Sequence, residues 1–126
     1  WRAVADLEPF AHDARLLWRV SLPPSAASEF VTAVRKHDAC EALVDWGGAL
    51  VWIAVRSERS AAFIREQAVR AGGHAWLFRA PDALRTQLGT APTQGAGLAA
   101  LSRRVKQGFD PQNVLGNGPF AAAGAS

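Results

Sequence analysis

Arg19, His74 and Arg79 are the polar residues of this chain best placed to do chemistry. Arg19 lies inside a short apolar run, and His74 and Arg79 border another. An arginine on a sheet face can hold a carboxylate through two parallel N–H donors. A salt bridge to Asp45 or Glu41 is the plainer use of either guanidinium, and pattern alone favours it. The other histidines, His12 and His37, are not spaced with a cysteine or carboxylate as metal ligands usually are, so no metal site is expected. His37 and the single cysteine, Cys40, stand three apart and could touch. No third group that would orient a nucleophile and its base is visible. One cysteine also excludes an internal disulfide. No phosphate-cradling glycine loop occurs; Gly47-Gly48 and Gly72-Gly73 read more economically as a turn and a helix stop.

These residues must be held by elements that the patterning makes readable. Leu16, Trp18, Val20 and Leu22 alternate with Arg19 and Ser21, which predicts a strand ended by Pro23-Pro24. Ser25 is placed to cap a helix whose apolar residues Ala27, Phe30, Val31 and Val34 keep a helical period to about His37. Residues 41–46 and 49–55 read as a hairpin turning at Gly47-Gly48, with Trp46 opposite Ala49 and Val44 opposite Val51. Leu43, Leu50 and Trp52 then share one face, and Ala42, Val44, Trp46, Val51 and Ile53 share the other. Both faces are apolar, whereas a sheet with helices on one side only is normally polar on the other. Ser57 is placed to cap a second helix over 58–71, stopped by Gly72-Gly73. His74 to Arg79 forms a fourth strand. Residues 80–97 read as a long loop with room for one short turn, and Leu98, Leu101 and Val105 mark a third helix ending near Phe109. The order predicts an α+β ferredoxin-like split β-α-β fold (βαββαβ) with an extra C-terminal helix.

Composition bounds the rest. At 126 residues, 49% apolar and 20% charged, the chain reads as a single domain over 1–126, with a lead-in at 1–14 and a frayed tail at 116–126. The absence of methionine and the start at Trp1 suggest a piece of a longer chain. No apolar run approaches the roughly 20 residues of a membrane span. A net charge of +3 is too small to announce nucleic acid. Arg103, Arg104 and Lys106 read as a solvated helix face, and RNA binding is the weaker reading of them.

Four stretches together resemble one family: 17–23 (LWRVSLP), 44–52 (VDWGGALVW), 72–79 (GGHAWLFR) and 101–111 (LSRRVKQGFDP). They are similar to the C-terminal part of the FAD-binding E subunit of bacterial glycolate oxidase, among the FAD-linked oxidases of the vanillyl-alcohol oxidase superfamily. The resemblance runs from Trp1 to about Phe120. It implies a cap domain whose ferredoxin-like sheet covers an FAD held mainly by a separate N-terminal domain of the same protein. The fragment alone is then inactive. The implied reaction oxidises a small 2-hydroxy acid, glycolate, to glyoxylate in a cytoplasmic or membrane-associated complex with the other glycolate oxidase subunits. Implied roles are Arg19 and Arg79 for the substrate carboxylate, His74 for the hydroxyl proton, and Asn117 and Gly118 for the flavin-proximal turn. The family's Asn-Pro-Gly-Arg type turn after Asp-Pro departs here to an Asn117-Gly118-Pro119 run without its basic residue. The competing reading is a stand-alone ligand-binding or regulatory module that forms a homodimer through its exposed sheet face.

Overall fold

The computed structural model describes residue 2 and residues 7–11, 14–92, 95–112 and 114. The chain divides into two compact units, residues 1–90 and 91–126. In the first, β1 (Leu16–Ser21), α1 (Ala27–His37), β2 (Cys40–Asp45), β3 (Leu50–Val55), α2 (Ser60–Arg70) and β4 (His74–Arg79) follow the expected βαββαβ order. The sheet order is β2-β3-β1-β4, with every neighbouring pair antiparallel. This is the ferredoxin-like α+β arrangement. Two further helices, α3 (Asp82–Leu88) and α4 (Ala96–Phe109), complete the described elements, and α4 is the extra C-terminal helix expected.

Alternation along the strands sorts side chains onto two faces. Leu16, Trp18, Val20, Val51, Ile53, Val55, Ala75 and Leu77 pack with Phe30, Val34, Ala61, Ile64 and Ala68 of the two helices. The helices supply these residues at spacings of three and four, which aligns them along one stripe. The opposite face has its own smaller core of Leu17, Leu50, Trp52 and Ala54, closed by Phe10, with Leu7 and Leu43 packed against it. The apolar second face predicted from sequence is therefore real, and part of it is covered by this chain's own 3-10 turn at Glu8–Phe10.

The local differences from expectation have physical causes. The β2–β3 link is wider than a two-residue turn: Val44 does oppose Val51, but Trp46–Gly48 form a 3-10 turn. Trp46 itself sits at φ 52, with its N–H donated to the Asp45 carboxylate at 2.7 Å. Neither predicted serine caps its helix. A 3-10 turn, Pro24–Ala26, precedes α1, and the Ser57 hydroxyl instead accepts from the Arg59 N–H at 3.2 Å. The end of α2 is as predicted. The N–H of Gly72, at φ +76, donates to Val69 O, and the N–H of Gly73 donates to Ala68 O, closing the helix with paired reverse bonds.

Residues 82–88, read from sequence as loop, are helical because tertiary partners secure them. Leu84 and Leu88 pack against the main core. The Arg65 guanidinium donates to the terminal carbonyls of Leu88 and Gly89 while lying 5.3 Å from the centroid of the Trp18 ring. Burial pulls the Arg65 pKa below its ordinary value, yet a guanidinium starts so high that it stays charged near neutrality.

Candidate functional site on the open sheet face

Antiparallel register brings the sequence-predicted residues onto one surface. Arg19 is opposite Trp52 of β3 on one side and Trp76 of β4 on the other, and Leu43 continues that row on β2. In the next row Ser21 is opposite His74. Residues directly opposite across a strand pair project to the same face. Arg19 and His74 therefore share the face away from α1 and α2 as diagonal neighbours. Arg19 is half-buried, His74 is exposed, and neither has a hydrogen bond or ion pair among the described residues.

Arg79 reaches this face by a different route. The β1–β4 register shifts between Leu17 and Trp18, so that Leu77 opposes Trp18 but Arg79 opposes Leu17. Phe78 is the extra residue of a bulge, which re-aims the strand after it. The Arg79 guanidinium donates to Phe10 O at 2.6 Å and so ties down the turn that covers this end of the face. Its Nε is buried with no hydrogen-bond partner among the described residues. Phe78, 54% exposed, meets Trp52 edge to face at 5.0 Å between centroids. The predicted salt bridge falls to another arginine, since Arg15 pairs with Glu41. The aromatic surround of Arg19 was missed in the sequence because Trp52, Trp76 and Phe78 were read simply as strand residues.

Other groups singled out in the sequence serve structure. His37 stacks on Phe63 at 4.0 Å. Asp38 accepts the Ser60 hydroxyl at 2.6 Å, joining the end of α1 to the start of α2. Burial raises the Cys40 thiol above its usual pKa, outweighing the nearby Arg35 charge, while Asp38 raises it further. At pH 7.5 Cys40 should thus alkylate with iodoacetamide more slowly than a cysteine in an unfolded peptide, because less of it is thiolate. Denaturant should abolish the difference; equal rates in the native protein would contradict a shielded thiol. Among the described residues no group of three or more His, Cys, Asp or Glu is placed to hold a metal, and no helix is long and apolar enough to cross a membrane. In the second unit, Lys106 pairs with Asp110 at 2.6 Å, and Asp110 also accepts the Val114 N–H. His12, Asn117 and Gly118 lie outside the described residues.

The fold and this surface define an α+β ferredoxin-like domain with an open sheet face carrying an arginine that has no acidic partner among the described residues. The chain is similar to the glycolate oxidase subunit GlcE of Escherichia coli (strain K12), with 34% identity over 123 residues. That alignment bears out the resemblance drawn from the four stretches. It takes in 97% of this chain but 31% of the relative, so the chain spans under a third of that protein's length. No family model matches the chain, and no solved structure matches it.

Proposed function

We propose that this chain is the cap domain of an FAD-dependent 2-hydroxy-acid oxidase subunit, covering the flavin and completing the pocket in which glycolate becomes glyoxylate. The observation that carries the reading is the half-buried Arg19 on the open sheet face. Its guanidinium has no partner among the described residues, in a chain 34% identical to a glycolate oxidase subunit. A guanidinium so placed offers two donors to a carboxylate, and its aromatic neighbours lower the local dielectric and strengthen that pair. His74, one row away, accepts the hydroxyl proton. Arg79, whose outer donor is committed to Phe10, supports the opposite end of the pocket through the turn it holds.

The donor set fits an anionic substrate beneath a flavin rather than the FAD itself, because the sequence has no glycine loop to cradle its phosphates. The flavin, held mainly by the FAD-binding domain of the same protein, supplies the hydride acceptor. Asn117 and Gly118 belong in this reading to the turn nearest it. The further partners are the other glycolate oxidase subunits, in a cytoplasmic or membrane-associated complex.

The test grafts this chain in place of the matching segment of the Escherichia coli subunit and assays glycolate-dependent dye reduction in the assembled complex. The graft should be active, and Arg19→Gln should raise KM about 10- to 100-fold, the range expected for a charged hydrogen-bonded pair of roughly 1.5–3 kcal/mol. The chain alone should neither retain FAD nor oxidise glycolate. Tight FAD binding and turnover by the isolated chain would sink the proposal.

A further inference from the structure

We infer that the open half of this face is shaped for a 2-hydroxy acid with a flat apolar side chain, an aryl group above all, more than for glycolate. The inference rests on the carboxylate role of Arg19 proposed above and names the substrate class of that site. Three features surround Arg19 in register. Ser21 and His74 form the next row toward one end of the sheet, which Leu50 and then Asp45 continue on β3 and β2, the Asp45 carboxylate accepting from the Trp46 N–H. Trp76 flanks Arg19 on β4. Trp52 flanks it on β3, and toward the other end lies Phe78, whose ring meets that of Trp52 at 82° across β1.

A carboxylate on Arg19 with its hydroxyl toward Ser21 and His74 leaves the remaining substituent of the 2-carbon facing aromatic surface. Glycolate has only hydrogens there. It would leave Phe78 as exposed as it is in the free chain. An aryl substituent instead covers that ring, in the edge-to-face or offset geometry that aromatic pairs prefer. The bulge adds Arg79 to this surface. Alternation after Leu77 already turns Phe78 to the open face; regular pairing would send residue 79 to the helix side, whereas the extra residue brings Arg79 to the open face beside Phe78. Burying the additional apolar area of one ring should tighten binding on the order of tenfold or more.

The test titrates the 126-residue chain with glycolate, 3-phenyllactate and 2-phenylethanol, following tryptophan fluorescence and, by NMR, the indole N–H and His74 ring signals. Phenyllactate should bind on the order of tenfold or more tightly than glycolate. Arg19→Gln should weaken both acids, and 2-phenylethanol, lacking the carboxylate, should bind far more weakly than phenyllactate. Phe78→Ala should weaken phenyllactate and leave glycolate unchanged; Phe78→Leu is the control if the alanine variant melts early. Equal binding of the two acids, both dependent on Arg19, would overturn the aryl preference and leave the carboxylate role intact. Failure of either acid to bind, or binding indifferent to Arg19→Gln, would overturn both.

Discussion

Gly73→Ala should lower stability by about 3 kcal/mol or more, at the upper end of what overpacking costs. A Cβ at this position would lie 2.0 Å from the Ser21 carbonyl oxygen and 2.7 Å from the Leu22 side chain. The first of those atoms belongs to the backbone of β1, the strand paired on both sides, so it cannot swing away as a side-chain tip would. Relief requires β4 to part from β1 at their shared end, at the row where Ser21 opposes His74. For a domain of this size each kcal/mol is worth roughly 4–8 °C, so thermal unfolding by far-UV circular dichroism should move by more than about 12 °C. Gly72→Ala is the informative comparison. Its φ of +76 disfavours a side chain, but a Cβ there meets only the Pro23 ring at 3.7 Å. That change should cost about 1–2 kcal/mol, the ordinary penalty for a left-handed L-residue. If both variants melted alike, close backbone approach at Gly73 would not be the reason for the second glycine.

Trp18→Ala should cost about 3–5 kcal/mol, the range for removing a large aromatic from a packed core. Trp18 is fully buried in the centre of β1, beneath the helices. It also carries the Arg65 guanidinium over its ring, and Arg65 holds the last carbonyls of α3. The substitution should therefore do two things at once: lower the urea midpoint and speed amide exchange in α3 more than in α2. Trp18→Phe should cost much less than alanine. The ring platform survives, and the indole N–H it deletes has no hydrogen-bond partner among the described residues, so no bond is lost with it. A phenylalanine variant as unstable as the alanine one would mean the indole N–H is satisfied after all. Unchanged α3 exchange in the alanine variant would mean that Arg65 grips α3 without help from the ring.

Much of this architecture was legible from residue order, because its signals are local. Alternation of period two marks β1 and an unbroken apolar run marks β3 whatever they pair with, and Phe30, Val31 and Val34 mark the buried side of α1 by their helical spacing. The glycine pair at 72–73 announced a helix stop, since few other residues accept a positive φ. The apolar character of both sheet faces was readable too, but not that this chain's own Phe10 closes part of the second one. Residues 82–88 were not readable as a helix, because what holds them is Arg65 and the main core rather than their own propensity. The partners of the arginines were equally hidden. Arg15, not Arg19 or Arg79, takes Glu41, although β3 lies between their strands in the sheet.

The candidate site divides along the same line. That Arg19, Ser21 and Leu17 share one side of a strand follows from a two-residue repeat and needs no partner. That Arg19 stands between Trp52 and Trp76, with His74 on the diagonal, depends on two registers joining residues far apart in the chain. The bulge at Phe78 is more remote still from sequence reasoning. One unpaired residue reverses the parity of everything after it, so Arg79 turns toward Phe10 on the face that Phe78 already shares with Trp52. Side-chain period is written residue by residue, while register and its interruptions come from packing both faces of the sheet at once.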